Sequence, residues 1–203
     1  MYSEEQQSQL SPGEVLQILK DGNWRFRNDE VNEHNIHDER REAAEFQHPI
    51  ALIHSCIDSR LPVEMLFDQG IGDIFVSRIA GNVENEDVIA GMELACTDFG
   101  SKVIIVMGHE DCGAIKAVCK HHDSPDLEHL YKKISHAVKA VEKETGIPAG
   151  SHTNLHKVTL KNIELTLERI RQSSPILKKL EEEGKIIIIG AYYSIMEGLV
   201  SFL

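Results

Sequence analysis

The 203 residues include 33 acidic and 21 basic side chains, which gives a formal net charge of −12 at neutral pH. Such a surface repels phosphate groups, so neither a nucleic acid nor a membrane is expected as a partner. The length and the 41% hydrophobic content suit one domain with a substantial core, and no apolar run is long enough to span a bilayer. Residues 1–9 are polar and lack the apolar segment of a secretory signal, so a cytoplasmic location is expected.

The N-terminal segment is predicted to form a helical arm. Ser11 followed by Pro12 is a typical helix start, with serine as the cap and proline in the first turn, and the helix is predicted to end at Arg27. The stretch 28–47 is polar and charged, with a shorter helix predicted over 38–46. The apolar side chains that the first helix presents are Val15, Leu16, Ile18, Leu19 and Trp24.

From residue 50 onward, short apolar runs alternate with helical patterns. Strands are predicted over 50–55, 74–78, 103–107 and 186–193, with a short return strand that ends near Phe202. Helices are predicted over 83–99, 113–122, 127–145 and 153–172, with a further helix after Pro175. Fully apolar strands that alternate with helices indicate an α/β fold, in which a mostly parallel sheet is covered on both faces.

Two of the predicted strands are followed by cysteine and histidine residues, which are common metal ligands. Their sequences are Cys56-Ile57-Asp58-Ser59-Arg60 and Gly108-His109-Glu110-Asp111-Cys112-Gly113. Because the carboxyl ends of parallel strands meet at one edge of a sheet, we expect Cys56, His109 and Cys112 to lie close together. Thiolate and imidazole are good zinc ligands, and three protein ligands leave one position for solvent. Either cysteine alone would suggest a buried, inert thiol, but the two motifs together favour a zinc site.

An acidic and a basic residue accompany the first of these cysteines. Asp58 lies two residues beyond Cys56, so in an extended segment both side chains face the same side. The carboxylate is therefore either a fourth ligand or a base beside the metal. Arg60 falls on the same side and is able to hold that carboxylate through a bidentate pair.

The sequence between the two motifs completes a recognisable pattern. With Asp68-Gln69-Gly70 and Phe75-Val76-x-Arg78-x-Ala80-Gly81-Asn82, the two motifs resemble the β-carbonic anhydrases. The resemblance is closest over 49–118. It implies one domain over 1–203, made of an N-terminal helical arm over 1–48 and a zinc-binding α/β core over 49–203. It also implies a homodimer or homotetramer with the active site at the subunit interface.

The activity that the resemblance implies is the reversible hydration of carbon dioxide to bicarbonate and a proton, by attack of a zinc-bound hydroxide. Cys56, His109 and Cys112 would hold one Zn²⁺ per chain. Asp58 and Arg60 would form a catalytic pair, with Asp58 as the fourth ligand in a closed state.

Three further residues are expected to bind the substrate. Gln47 and Phe75 fall where one branch of the family places pocket residues, and Gln47 would serve the zinc of the neighbouring subunit. Gly113 is expected to allow close approach of the backbone near the site. Two positions depart from family patterns, since Ile53 replaces the tryptophan of the bicarbonate-regulated branch and Leu94 replaces a pocket tyrosine.

Other titratable residues are less informative. His54, His121 and His122 have the intrinsic pKa of a proton shuttle, although a solvated or hydrogen-bonded histidine is the more common case. Arg78 either binds an anion or forms a structural ion pair. Cys96 and Cys119 are expected to be structural. Glu110 and Asp111, which lie between the ligands, are expected either to be solvated or to support the ligands.

Three alternative functions remain open at this point. The same zinc site would also suit carbon disulfide or carbonyl sulfide, which are linear electrophiles like carbon dioxide. A non-catalytic zinc sensor or scaffold is a second alternative, but it has no need of an Asp58–Arg60 pair. A nucleotide-binding domain is the least favoured, because no G-x-G-x-x-G or P-loop follows any predicted strand.

Overall fold

A five-stranded sheet forms the centre of the fold in the computed structural model, which describes residues 1–120, 128–148 and 150–203. Its strands are β1 (Ala51–Ser55), β2 (Ile74–Arg78), β3 (Val103–His109), β4 (Ile187–Tyr193) and β5 (Val200–Phe202). The order is β2-β1-β3-β4-β5, with β1 to β4 parallel and β5 antiparallel to β4. This arrangement confirms the predicted α/β class and its mostly parallel sheet.

Helices connect the strands and cover the sheet. In the described part of the chain they are α1 (Glu4–Gln9), α2 (Pro12–Arg27), α3 (Ile36–Glu42), α4 (Val63–Leu66), α5 (Glu86–Thr97), α6 (Gly113–Cys119), α7 (Glu128–Thr145), α8 (His152–Ser173) and α9 (Pro175–Glu182). The predicted helix over 113–122 is thus seen only to Cys119, and positions 121 and 122 lie outside the described residues. None of the described helices is both long and apolar enough to cross a bilayer.

Alternate residues of the central strands supply two separate cores. On one face, Ile53 and Ile105 pack with residues of α2, α6 and α7. On the other face, Leu52 and Ile104 pack with residues of α5, α8 and α9. Every residue of β1 and β3 is buried, which is why these strands have nearly continuous apolar sequences. Each fully buried aliphatic side chain stabilises the fold by about 1.5–3 kcal/mol.

The helix α2 begins as its sequence predicts and packs on the first face of the sheet. Ser11 caps it reciprocally with Glu14, and Val15 and Leu19 are fully buried. A side chain at Gly22 would clash with the backbone of Phe67, so this glycine permits the close approach of α2. The sequence predicts Trp24 on the same apolar face, but this residue is 52% exposed.

The short helix α3 differs from the prediction over 38–46. It runs from Ile36 to Glu42, because the Asn35 side chain accepts a hydrogen bond from the Asp38 amide and so fixes an earlier start. No residue of α3 is buried. Its position on the protein therefore depends on polar contacts rather than on a core.

Candidate active site

Three potential metal ligands converge at the carboxyl edge of the sheet. Cys56 directly follows β1, His109 ends β3, and Cys112 is the residue before α6. One ligand atom from each of the three lies within 4.8 Å of the other two, and all three residues are buried. The Sγ atoms of Cys56 and Cys112 are 3.9 Å apart. The structure thus brings together the three side chains that the two sequence motifs single out.

The His109 imidazole has a defined tautomer. Its Nδ1 lies 2.8 Å from the carbonyl oxygen of Glu110, and because a carbonyl only accepts, Nδ1 carries the proton. The lone pair is then on Nε2, which is buried and has no hydrogen-bond partner among the described residues. A buried polar atom of this kind is uncommon, and a bound metal ion would account for it.

The two thiols influence each other strongly. The adjacent Cys112 thiol lowers the pKa of Cys56, and the same contact raises the pKa of Cys112. The Gly81 amide also donates a hydrogen bond to Cys56 Sγ over 3.3 Å. Without a metal the pair therefore holds one thiolate readily, and a bound cation would favour loss of the second proton.

The backbone conformation and the close packing at Gly81 explain why this residue is a glycine. Its φ of +68° is in the left-handed region, and an added Cβ would lie 2.7 Å from Ile134 Cδ1. Both the conformation and the limited space therefore favour glycine at this position.

Asp58 and Arg60 form a bidentate ion pair beside the cluster. Arg60 Nε lies 2.8 Å from Asp58 Oδ1 and Arg60 Nη2 lies 2.7 Å from Oδ2. These hydrogen bonds hold the pKa of Asp58 well below its usual range, so the carboxylate is ionised. Asp58 Oδ2 is 3.9 Å from His109 Nε2, which places it at the edge of the cluster.

Arg78 has a role that the sequence did not predict. We expected an anion ligand or an ion pair, but Arg78 Nε donates to the Cys56 carbonyl over 2.9 Å and Nη2 donates to the Asp58 carbonyl. One guanidinium group therefore fixes the backbone on both sides of Ile57. The feature that could have indicated this role is the position of Arg78 at the end of β2, where it pairs with Ser55 at the end of β1, next to Cys56.

A mostly apolar cavity of about 310 Å³ reaches the cluster. Gly113 is among its lining residues, and its contribution to substrate binding stays a prediction. Further lining residues, which the sequence did not indicate, come from α6, α7 and the turn after β2. Among the described residues, the cavity is lined by Cys56, Ile57, Asp58, Ala80, Gly113, Ala114, Ala117, Val118 and Leu130.

Gln47 and Phe75 do not reach this cavity within the described chain. Gln47 is exposed, and Phe75 packs on the opposite face of the sheet. There the Phe75 ring meets Phe99 edge to face, with centroids 5.3 Å apart. A contribution of Gln47 to the partner subunit's site and a role of Phe75 as an apolar wall of the substrate pocket stay predictions.

The sequence model of the carbonic anhydrase family matches residues 51–200, a span that contains every residue of the cluster and its cavity. The chain belongs to the β-carbonic anhydrase family. The family that the two motifs predict is thereby confirmed, and with it the expectation of an enzyme of the carbonic anhydrase class.

Individual relatives agree with this assignment. The carbonic anhydrase of Mycolicibacterium smegmatis is 31% identical over 199 residues, which are 94% of this chain and 92% of that protein. The structure of the β-carbonic anhydrase CcaA has a TM-score of 0.73 and 25% identity, over 93% of this chain and 91% of the other. Two tetrameric β-carbonic anhydrases from the ascomycete Sordaria macrospora share the fold, with a TM-score of 0.73, 20% identity and coverage of 81% and 85%.

Of the other histidines considered for this β-carbonic anhydrase, His54 lies in the described part of the chain and is not a member of the cluster. His54 is fully buried, with ring nitrogens 3.2 Å from Ser77 Oγ and 3.1 Å from the Val83 carbonyl. This is the hydrogen-bonded alternative that we favoured. His121 and His122 lie outside the described residues.

Proposed function

We propose that the chain catalyses the zinc-dependent, reversible hydration of carbon dioxide to bicarbonate and a proton. The observation that carries this proposal is the buried cluster of Cys56, His109 and Cys112 with the ionised Asp58 at its edge. A catalytic zinc site usually has three protein ligands and one position left for solvent. In a structural zinc site, four protein ligands fill every position.

The donor set and its geometry suit zinc. Two sulfurs bound to one tetrahedral ion at about 2.3 Å would lie roughly 3.8 Å apart. The observed distance between the sulfurs of Cys56 and Cys112 is 3.9 Å, so little movement is needed. Soft thiolates disfavour magnesium and calcium, and the lone pair of His109 Nε2 is free to bind an ion.

The protein contributes to the reaction chiefly through Asp58. A zinc ion held by Cys56, His109 and Cys112 would lower the pKa of water towards neutrality and so supply a nucleophile. Asp58 would accept a hydrogen bond from that water and orient it toward the substrate. Because Arg60 engages both carboxylate oxygens, Asp58 is held in place and stays charged. Release by Arg60 would let the carboxylate occupy the fourth position, which is the closed state.

The cavity suits a small apolar substrate. Its walls are formed mainly by Ile57, Ala80, Ala114, Ala117 and Leu130. Apolar walls hold few ordered waters and offer no competing hydrogen bonds, so carbon dioxide is able to approach the nucleophile. Near Asp58 the wall is polar, where the bicarbonate product would form.

We also propose that the chain acts as a homodimer or homotetramer whose subunits share each site. Ile57 lies between Cys56 and Asp58 and is 62% exposed, so this side of the site is accessible to a neighbouring subunit. The Sordaria macrospora proteins of the same fold are described as tetrameric. Gln47, which does not reach its own cluster, would then donate a hydrogen bond to the substrate at the partner's zinc.

Metal analysis together with stopped-flow carbon dioxide hydration tests the main proposal. We expect one zinc per chain, with activity that is lost with the zinc and in the Cys56→Ser variant. Cys96→Ser is the matched control, since this partly buried thiol lies away from the cluster and should keep both zinc and activity. A chain that hydrates carbon dioxide fully without metal would refute the mechanism. A zinc-loaded chain that hydrolyses carbonyl sulfide but not carbon dioxide would refute the substrate.

Hybrid oligomers test the shared site. Gln47→Ala and Cys56→Ser are each expected to have low activity alone. If Gln47 serves the partner's zinc, a hybrid of the two variants contains one complete site, and activity rises on mixing and refolding. Mixtures that stay as inactive as the separate variants, while exchanging subunits, would contradict this part of the proposal.

A further inference from the structure

Glu110 connects the His109 ligand to the turn between β4 and β5. Its carbonyl oxygen accepts the Nδ1 proton of His109 over 2.8 Å, and its amide donates to the Tyr193 carbonyl over 2.8 Å. Its carboxylate Oε2 accepts hydrogen bonds from Ser194 Oγ and from the Met196 amide, both over 3.2 Å. One residue therefore contacts the imidazole through its backbone and the distant turn through its side chain.

The turn itself is held from its other side by the helix α2. Asn23 Nδ2 donates to the Gly198 carbonyl over 3.0 Å, and Asn23 Oδ1 accepts from the Val200 amide over 2.9 Å. Asn23 is buried, so these hydrogen bonds are shielded from water. Glu110 is thus bonded to a fixed element and not to a loose loop.

The backbone around Glu110 needs such an anchor. The next residue, Asp111, has a φ of +60°, in the left-handed region that is uncommon for residues other than glycine, although aspartate is among those that adopt it most often. Such a turn depends on its surroundings, and the peptide group beside it would be able to rotate if nothing held it. Rotation of that peptide would turn the Glu110 carbonyl away from His109 Nδ1 and remove the contact that fixes the tautomer.

We infer that Glu110 is a positioning residue, which holds the His109 imidazole in its metal-binding tautomer and orientation by anchoring the ligand loop to residues Ser194 and Met196. This inference rests on the proposed zinc site. Partners of metal-binding histidines typically change metal affinity or activity by about 10- to 100-fold when they are removed. Glu110 acts one step further away, through its own carbonyl group.

Zinc affinity and the absorption spectrum of the cobalt-substituted protein test the inference without relying on activity. Zinc is titrated into the apoprotein against a chromophoric chelator. We expect Glu110→Ala to bind zinc about 10-fold or more weakly and to shift the cobalt d–d bands. Glu110→Gln keeps an oxygen that accepts from the turn, so it should recover most of the affinity and the normal spectrum.

Glu197→Ala is the matched control, because Glu197 is an exposed carboxylate on the same turn and its removal changes the charge equally. It should match the wild type in both measurements. Wild-type affinity and spectrum in Glu110→Ala, or equal losses in Glu110→Ala and Glu197→Ala, would overturn the inference. If Glu110→Ala does not fold, Ser194→Ala is measured in its place, because it removes a hydrogen bond to the Glu110 carboxylate. A lower zinc affinity in Ser194→Ala would support the inference, and an unchanged zinc affinity would overturn it. A wild-type chain that binds no zinc would instead refute the proposed function.

Discussion

Arg60 binds both carboxylate oxygens of Asp58, with distances of 2.8 and 2.7 Å, only two residues along the chain from it. The Arg60 amide also donates to Asp58 Oδ1 over 3.0 Å. This local clamp requires no distant partner, so it forms as soon as the loop after β1 adopts its structure. It fixes the direction of the carboxylate and its charge together.

We therefore predict that Asp58→Ala and Arg60→Ala each lower carbon dioxide hydration by about 10²- to 10⁴-fold while zinc stays bound. Arg60→Lys should also lose most of the activity, since an ammonium group cannot form the fork of two parallel hydrogen bonds. Stopped-flow rates and zinc content are measured on the same samples. Wild-type rates in these variants would show that the pair is not catalytic.

Removal of the metal should abolish activity reversibly. A strong chelator is expected to take the ion from Cys56, His109 and Cys112, and added zinc should restore the rate. Cys112→Ser should not recover with zinc, because a hydroxyl is a poor substitute for a thiolate ligand. Cys119→Ser, a buried thiol outside the cluster, should recover like the wild type.

His34 should stabilise the fold more at acid than at alkaline pH. Its Nδ1 lies 2.8 Å from Glu39 and its Nε2 3.2 Å from Asp68, an arrangement that favours the imidazolium, since only this form donates from both nitrogens. Burial opposes the charge, but the two hydrogen bonds outweigh it and raise the pKa of His34. The stabilisation is complete below the unfolded pKa of about 6.5 and is lost as the pH rises through the folded value.

His34→Gln should accordingly lower the free energy of unfolding at pH 5.5, by on the order of 1 kcal/mol, and by less at pH 9. Urea denaturation of both proteins at the two pH values measures the difference. His37→Gln replaces an exposed histidine of α3 and is the matched control, which should leave the free energy of unfolding close to that of the wild type. An equal loss for His34→Gln at both pH values would contradict the prediction.

Glu84 should be important for stability. Its buried carboxylate meets Lys133 of α7 and Arg169 of α8, each at 2.9 Å. Glu84→Gln leaves two cations without their counter-charge, and we expect a loss of about 3 kcal/mol in urea denaturation. In the exposed pair of Glu164 with Lys161, Glu164→Gln should cost less than about 1 kcal/mol. Similar losses in the two variants would show that burial is not what makes Glu84 important.

The ligand cluster could be anticipated from the sequence because it depends on local features. Each ligand follows or ends a buried apolar strand, and the edge shared by parallel strands brings Cys56 to His109. The Asp58–Arg60 clamp is equally local. By contrast, Glu84 pairs with residues 49 and 85 positions away, which no pattern of single residues reveals.

Two other differences have physical reasons. The face of the sheet occupied by Phe75 depends on the register of β2, and that register brings Phe75 beside Leu52 and away from Cys56. The exposure of Trp24 has another cause. Helical spacing predicts which residues share a face of α2, but it does not predict how far along the helix that face is covered by the rest of the protein. For both residues, the sequence pattern of a single chain also carries no information about contacts across a subunit interface.

The cluster spans two strands that are neighbours in the sheet but distant in the chain. Cys56 follows β1, whereas His109 and Cys112 belong to β3 and the turn after it, and β1 and β3 pair along their whole common length. An ion bound by all three would tie these two central strands together at their carboxyl ends. Because an unfolded chain offers no such preformed site, the energy of metal capture adds to the energy of folding. Zinc supply during synthesis would therefore influence how much enzyme reaches the native state, as well as how fast each molecule works.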